Sequence, residues 1–531
     1  MRCRLSLSLA ALIVASPIAA QHEQHGGKET LGRVSFPTSC AAAVQAEIDR
    51  AVAMLHSFWF EAAHKSFDKI ATADPTCGIA PWGVAMTLWG NPFARQPIPA
   101  ERQKEGVAAA ERAVALASGA THREKMYIDA AAALWRDADK LDHLARLARH
   151  EEAMKALYEA HPEDPEAAMF YARAVIANAP PTDLEFTRQL YAATLLEPLF
   201  EKQPEHPGLA HYIIHTFDSP KLAQHGLSAA RRYAAIAPAA PHALHMPSHI
   251  FTRLGYWDES IETNRRSAAA EPDSNAAVHP NDYMVYAYLQ QGRDADAWRV
   301  IARSRETTNR YYGGLLGYNG VAMPARYALE RSAWKEAANV PLVSKAAAFV
   351  EAVPRFARAV GAARSGNPAQ ANEEIAALAV LRDSLKARND AYWATIVEAQ
   401  RLAASAWVAR AEGKNDDAVR LARQAAELEE TVEKHPVTPG PLLPARELEG
   451  DLLMELGRPA DALRSYEMTL VREPRRARAL FGAARAAEKG GNKATARTHY
   501  EQLSRLMERA DASRSEARIA REFLARGRMS S

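Results

Sequence analysis

Apolar residues recur along this chain with the three- and four-residue spacing of amphipathic helices, in pairs of short segments joined by tight turns. Stretches in which apolar and polar residues alternate strictly, which would predict strands, are nearly absent, and β-branched residues seldom cluster. The chain is also rich in alanine, which favours helices and allows them to pack closely. The pattern therefore predicts an all-α fold.

The helical pairs repeat with a regular period. Pro204, Pro238 and Pro272 follow one another at intervals of 34 residues. Three further pairs have the same separation: Gly457 and Gly491, Ala462 and Ala496, and Tyr466 and Tyr500. Glycine, a small residue, an aromatic residue and proline at fixed offsets are typical of a helix–turn–helix unit that buries its apolar face only by stacking on its neighbours.

This period and these offsets resemble the tetratricopeptide repeat. The resemblance implies a right-handed superhelical solenoid of about nine or ten stacked helix–turn–helix units. It also implies that the second, fifth, ninth, twelfth and thirteenth residues of each unit line the concave face. Blocks such as FPTSC and HALHMPSHIFTRLGYW are similar to those of a group of exported bacterial repeat proteins, which implies fold and location but no particular chemistry.

The N-terminus has the pattern of a secretory signal peptide in residues 1–20: Arg2 and Arg4, an apolar run, and small residues up to Ala20. We expect a periplasmic or secreted protein; an amphipathic first helix is the alternative. Removal of the signal would lower the formal net charge from +2 to zero, which disfavours nucleic-acid binding. No later apolar stretch reaches the length of a membrane span.

The rest of the chain divides by composition. Residues 21–43 form an N-terminal segment, residues 44–434 a long repeat array, residues 435–447 a proline-rich joint, and residues 448–531 a shorter set of C-terminal repeats. Cys40 and Cys77 remain after signal cleavage, and an oxidising compartment favours a disulfide between them. Two free buried thiols are the alternative.

Histidines concentrate in one stretch of the array: eight of the 18 lie between His206 and His279. When each unit is numbered so that its proline is the thirty-second residue, polar side chains fall on the concave positions of three consecutive units. They are His211, His215 and Asp218, then His242, His245 and His249, then His279, Asp282 and Tyr286. A site is therefore expected within residues 207–286.

Two histidines one helical turn apart can bind the same metal ion. We predict that a divalent transition metal, which could be zinc, copper, nickel or iron, is bound by His211, His215, His245 and His249. Further ligands, or partners that orient the rings, are Asp218, His242, His279 and Asp282. A metal-bound water could act as a nucleophile, but the segment HYIIH lacks the glutamate of a zinc protease. Whether the protein is an enzyme stays open.

Other functions stay open as well. The groove could be a metal-free scaffold for a peptide or an envelope protein, or a pocket for an organic molecule. The histidines could also serve only in packing. Pro247 lies between His245 and His249, so the helix there either starts at Pro247 or is bent.

Two aromatic stretches have a functional and a structural interpretation. Trp82, Met86 and Trp89, with His56 in the preceding unit, form either an aromatic floor of the concave surface or a hydrophobic core. The run YYGGLLGYNG, Tyr311 to Gly320, is either a flexible lid over the pocket or a longer connection between repeats.

Overall fold

The computed structural model describes residues 30–95, 97–271, 275–308 and 314–528. The predicted signal peptide, residues 21–29, Pro272 and the first three residues of YYGGLLGYNG lie outside the described residues. Within these ranges the chain forms α-helices and short 3-10 helices, and no β-strand occurs there.

Between residues 30 and 271, the described part of the chain forms thirteen α-helices. They are α1 (Gln45–His56), α2 (Phe60–Ala73), α3 (Ile79–Trp89), α4 (Ala100–Leu116), α5 (His122–Trp135), α6 (His143–Ala160), α7 (Pro165–Ala177), α8 (Thr187–Lys202), α9 (Pro207–Thr216), α10 (Ala223–Ile236), α11 (Pro241–His245), α12 (Pro247–Leu254) and α13 (Trp257–Ala270). Short 3-10 helices span Ala42–Val44, Pro92–Ala94 and Ala117–Gly119.

The second half continues in the same way after a 3-10 helix at Asn275–Ala277. Its helices are α14 (Val278–Gln290), α15 (Asp294–Thr308), α16 (Gly314–Glu330), α17 (Trp334–Ala337), α18 (Ala348–Arg364), α19 (Pro368–Ala387), α20 (Ala391–Ala411), α21 (Asn415–Glu429), α22 (Ala445–Glu455), α23 (Pro459–Arg472), α24 (Ala477–Lys489), α25 (Lys493–Leu506) and α26 (Ser515–Arg528).

Most helices pack mainly on the next one along the chain, and some, such as α10, α11 and α16, pack mainly on the one after that. This pattern confirms the predicted all-α solenoid, in which a unit buries its apolar face against its neighbours. Some contacts break the sequential order, and in one of them α1 packs against α9. This contact brings the first unit of the array to the start of the histidine-rich stretch.

The N-terminal segment is attached covalently to the array. Cys40 and Cys77 form a disulfide with their Cα atoms 4.9 Å apart, within the range that a disulfide permits. The predicted pairing is therefore confirmed. The bond joins the residues before α1 to the turn that precedes α3.

The tryptophan stretch of α3 belongs to the hydrophobic core. Trp82 is buried, stacks on Phe36 at 5.4 Å between ring centroids, and meets Tyr127 and Phe170 edge-on. These contacts favour the core interpretation of the stretch over an aromatic floor.

The glycine-rich and proline-rich segments singled out in the sequence differ in structure: one is partly helical and the other is a loop. The part of YYGGLLGYNG that the structure describes is the beginning of α16, so this part is helical and not a loop. The proline-rich segment is non-helical from Pro436 to Pro444 and packs on α14 and α16 through its backbone carbonyls. Tyr283 donates a hydrogen bond to the Pro436 carbonyl, and Asn319 donates one to the Val437 carbonyl.

None of the described helices combines the length and apolar character needed to cross a membrane.

Candidate metal centre

The local sequence fixes the helices that carry the histidines. Pro207 and Pro241 each occupy a first-turn position, where a missing N–H costs no hydrogen bond. The His206 ring caps α9 by accepting a hydrogen bond from the Gly208 N–H at 3.1 Å. At Pro247 the chain forms two short helices, α11 and α12, joined at Met246, whose backbone stays in the right-handed helical region. The bend does not separate His245 from His249.

Three histidines form a first group, called here the first triad: His211 and His215 of α9, and His242 of α11. The Nε2 atoms of His211 and His215 are 3.1 Å apart, and the rings of His211 and His242 are 5.0 Å apart between centroids. One nitrogen from each ring lies within 4.8 Å of the other two. This arrangement can hold one metal ion.

The second triad consists of His245 of α11, His249 of α12 and His279 of α14. The Nε2 atoms of His245 and His249 are 3.0 Å apart, and the His279 ring lies 4.4 Å from the His245 ring between centroids. Here too one nitrogen from each ring lies within 4.8 Å of the other two.

The two triads are adjacent. The rings of His215 and His249 are 5.8 Å apart between centroids, and those of His242 and His245 are 5.9 Å apart. The structure thus divides the four histidines predicted as ligands into two pairs. Each pair is completed by a histidine that the sequence placed among the further candidates.

Hydrogen bonds fix the tautomers of three rings. The Nδ1–H of His211 donates to the His56 carbonyl at 2.6 Å, that of His245 to Asn264 Oδ1 at 2.6 Å, and that of His249 to Asp218 Oδ2 at 2.8 Å. The side-chain amide of Asn264 donates to the Ser260 carbonyl, so its oxygen faces His245. The Nε2 atom of each of the three histidines therefore carries a lone pair, the form that binds metals.

The protonation state of the cluster follows from its burial. Desolvation lowers the pKa of all six imidazoles, and neighbouring imidazoles lower the pKa of most of them further. For His249, Asp218 opposes the effect of burial, but the pKa is still lowered. The rings are therefore neutral at neutral pH, and the lone pairs of His245 and His249 face each other without a proton between them.

Asp218 holds His249 in place. Burial alone would raise the pKa of Asp218, but Lys434 and Arg253 hold it well below its usual range. Arg253 donates to Asp218 Oδ1 at 2.8 Å, and the Lys434 ammonium is 3.4 Å from the same atom. Asp218 is thus an anion that accepts the His249 Nδ1–H and orients the ring, the partner role predicted for it.

Asp282 lies apart from the ring nitrogens. This buried carboxylate accepts a hydrogen bond from Asn319 at 3.0 Å and pairs with Arg326 at 3.3 Å. Tyr286 is also directed elsewhere, because its hydroxyl accepts from Arg476 and its ring packs on Trp257. Both residues serve the packing of α14 against its neighbours.

We expect Asp218→Asn to lower the metal affinity of the second triad by about 10- to 100-fold, because the neutral amide orients His249 less strongly. Asp282→Asn is the matched control: it makes the same change at a buried carboxylate bonded to Arg326 and not to a histidine. Competition against a chromophoric chelator measures both affinities. Equal affinities in the two variants would contradict the role given to Asp218.

Three aromatic residues around the cluster were not predicted. The Phe58 ring lies 4.4 Å from His211 and 5.4 Å from His242 between centroids, and Phe93 lies 4.2 Å from His215. Tyr283 contacts His245 and His249. Phe58 lies in the turn after α1, Phe93 lies in the 3-10 helix after α3, and Tyr283 lies in α14, all at positions that repeat numbering does not count as concave. No sequence signal marked them.

A cavity of about 150 Å³ gives access to the cluster. Its wall includes Phe58, Pro241, His242, His245 and His279. Imidazoles from both triads therefore meet the same cavity, at the side of the cluster where His242 and His279 are only partly buried.

A third buried group, His56, Glu166 and His206, has a different character. Glu166 accepts hydrogen bonds from His56 Nε2 at 2.7 Å and from His206 Nε2 at 2.9 Å. His56 Nδ1 accepts from the Tyr212 hydroxyl at 2.9 Å, and His206 Nδ1 accepts from the Gly208 N–H. Every ring nitrogen is thus satisfied without a metal, and the group joins α1, α7 and α9.

This hydrogen-bonded group holds His56, whose backbone carbonyl accepts the hydrogen bond from His211. A side chain added at Gly208 would disturb the His56 ring and so test whether the group stabilises the fold. A Cβ atom at Gly208 would lie 2.6 Å from His56 Nδ1. We expect Gly208→Ala to destabilise the protein by about 1–3 kcal/mol, through overpacking. At Gly119 a Cβ would meet nothing within 4 Å, so Gly119→Ala is the control. Urea denaturation midpoints compare the two, and a Gly208→Ala midpoint as high as that of the control would contradict the prediction.

The C-terminal part of the chain matches a known family. Residues 448–515 match the family model of the tetratricopeptide repeat. This part of the chain is similar to tetratricopeptide repeats. The match includes the residues on which the 34-residue period is clearest, which confirms the resemblance seen in the sequence. Tetratricopeptide repeats form extended concave surfaces that generally bind protein or peptide partners.

The similarity to individual proteins is weak. No curated protein sequence matches the chain. Among solved structures it is similar to the Cut9–Hcn1 hetero-tetramer of APC/C (12% identity, 90% of this chain, 96% of that chain, TM-score 0.31). It is also similar to IFIT1 in a monomeric mutant form with Gppp-AAAA (13% identity, 87% of this chain, 90% of that chain, TM-score 0.36). A third similar structure is yeast Tom70 (10% identity, 92% of this chain, 96% of that chain, TM-score 0.35).

Proposed function

We propose that this chain is an exported tetratricopeptide-repeat protein whose histidine cluster binds a divalent transition metal, with zinc, copper, nickel and iron as the candidates. Export is proposed from the pattern of residues 1–20 and agrees with the disulfide, since disulfides persist in oxidising compartments. Imidazole nitrogens are ligands that these metals share.

One observation carries the proposal. The Nε2 atoms of His245 and His249 lie 3.0 Å apart, and each ring donates its Nδ1–H elsewhere. Two lone pairs at this distance repel each other unless a cation lies between the rings. Two ligands of a tetrahedral ion with bonds of 2.0–2.1 Å are about 3.4 Å apart, close to the observed separation. The carboxylate–histidine pair of Asp218 and His249 is the usual support of such a ligand.

Thermal unfolding tests the proposal. Metal-free, tag-free protein should gain stability on addition of zinc or copper, since a ligand that binds only the folded state raises the melting temperature. Magnesium is the control, because it prefers oxygen ligands. Replacement of all four predicted ligands, His211, His215, His245 and His249, with glutamine should remove the gain. A protein whose melting temperature does not respond to any of the four candidate metals would contradict the proposal.

A second proposal is that the protein binds a peptide or an envelope protein. A groove of about 290 Å³ beside α24 offers aromatic and charged side chains. Its lining includes Asp451, Phe481 and Arg485 from the part that matches the family, and Trp334 and Arg364 from earlier in the chain. Affinity capture from periplasmic extract, with and without chelator, tests it. Partners retained after chelation would show binding independent of metal; loss of every partner on chelation would count against a metal-free scaffold.

A further inference from the structure

The six imidazoles divide into two sets and not one. Among the described residues, the nitrogens that approach within 4.8 Å of one another form two separate groups of three. Two ligands of one ion, with bonds of 2.0–2.1 Å, are at most about 4.2 Å apart. One ion therefore cannot bind all six rings, whereas small movements of the third ring in each triad suffice for one ion per triad.

Unpaired nitrogens complete both triads. His242 Nε2 and His279 Nδ1 are buried and have no hydrogen-bond partner. A buried polar atom without a partner lowers the stability of the folded state. One such atom belongs to each triad, next to a pair of Nε2 atoms 3.0–3.1 Å apart. Both triads therefore present a third nitrogen that a metal ion would satisfy.

The charge balance indicates a further ligand. Imidazole binds a metal ion in its neutral form, and the Asp218 carboxylate beside the rings is already paired with Arg253 and Lys434. Two divalent cations would thus add four positive charges to a buried site whose protein ligands are all neutral. Buried charge requires a compensating partner, and Glu271 is the acidic side chain in the wall of the cavity. One carboxylate cannot balance four charges, so an anion that enters with the metals would supply part of the balance.

The cavity is where such an anion can bind. Its wall contains His242 from the first triad and His245 and His279 from the second, so it opens at the junction of the two. Its volume of about 150 Å³ exceeds the roughly 10–15 Å³ that one water molecule needs in a cavity. A ligand of a few non-hydrogen atoms therefore fits there, next to imidazoles of both triads.

We infer that the cluster is a two-metal centre, with one ion on each triad and a small oxygen-donor anion, such as hydroxide, bridging them from the cavity. This inference rests on the proposed metal binding. It adds the stoichiometry, the division of ligands between the ions, and the class of ligand.

Copper(II) is the probe, because its unpaired electron reports whether a second ion is near. Metal-free protein is loaded with copper(II) in a His122→Gln background, which removes the exposed His122–His161 pair as a competing surface site. We expect two copper ions per chain after gel filtration. The electron paramagnetic resonance signal should account for much less than the total copper, because an oxygen bridge couples the two spins.

Variants assign the ions to the triads. His242→Ala and His279→Ala should each retain one copper per chain with its full signal. His225→Ala, at an exposed histidine outside the cluster, should retain both ions and the weak signal. Circular dichroism confirms folding, and the measurement on the parent protein stands if a variant fails to fold.

The outcomes are distinguishable. One copper per chain in the parent protein would overturn the two-metal centre while leaving the proposed metal binding intact. Two coppers with a full signal would overturn the bridged arrangement. No bound copper, zinc, nickel or iron would overturn both proposals.

Discussion

Replacement of His245 and His249 together with glutamine should remove the metal from the second triad. Structural zinc sites with four ligands bind with about 10–16 kcal/mol, or about 3–4 kcal/mol per ligand, so loss of two ligands should weaken binding by at least about 10⁴-fold. The remaining ligand, His279, cannot hold an ion alone against a chelator. Affinity is measured by competition with a chelator of known strength.

The control for this double variant is His225→Gln, because His225 is exposed, lies outside both triads and has a ring contact with Phe217. It should bind metal as the unmodified protein does. If the metal affinity of the double variant is within about tenfold of that of the unmodified protein at each metal site, His245 and His249 are not ligands. Even the loss of a residue that only orients a ligand lowers the affinity by about 10- to 100-fold.

Replacement of Arg476 with methionine should lower the free energy of unfolding more than any of the other substitutions tested by denaturation. Arg476 is fully buried, and its guanidinium donates to Glu447 at 2.7 Å and lies 2.8 Å from Glu330. Its removal leaves buried carboxylates with less compensation, and a broken buried ion pair costs about 3–5 kcal/mol. Because Glu330 ends α16 and Glu447 is in α22, the loss should loosen the C-terminal repeats from the rest of the array.

Arg475→Met is the matched control for Arg476→Met. Arg475 is the preceding residue, is exposed, and interacts with the Tyr256 ring at 5.0 Å from its centroid. We expect a change within about 0.5 kcal/mol, as for most surface substitutions. Urea denaturation followed by circular dichroism compares the two variants. Equal midpoints would contradict the importance assigned to the buried arginine.

Much of the fold could be predicted from the sequence because repeats are local. Spacing of glycine, alanine, tyrosine and proline at 34-residue intervals reports contacts within a unit and between adjacent units, and both are short in sequence. The disulfide followed from the count of cysteines and the expected compartment. The packing of α1 against α9 could not be predicted, because no repeat rule specifies a contact between distant units.

The site was predicted in part for the same reason. Repeat numbering placed His211 beside His245 and His215 beside His249, and the structure brings all six predicted histidines together. Numbering could not show that the rings divide into two triads, because this depends on side-chain directions. Nor could it distinguish Asp218, bonded to a ring, from Asp282, bonded to Arg326, since both occupy concave positions.

The remaining surroundings of the site come from distant parts of the chain. Phe58 and the His56 carbonyl reach the first triad from α1 and the turn after it, and Lys434 reaches Asp218 from the segment before the proline-rich loop. Long-range contacts of this kind leave no periodic signal in a sequence. They are visible only once the helices are packed.

Elemental analysis of the tag-free protein, produced with its own N-terminal sequence and purified without chelators, tests the central claim most directly. The account predicts a stoichiometric amount of zinc, copper, nickel or iron that survives gel filtration and falls in the His245→Gln/His249→Gln variant. Only trace amounts of all four metals, equal in the protein and in the variant, would contradict it.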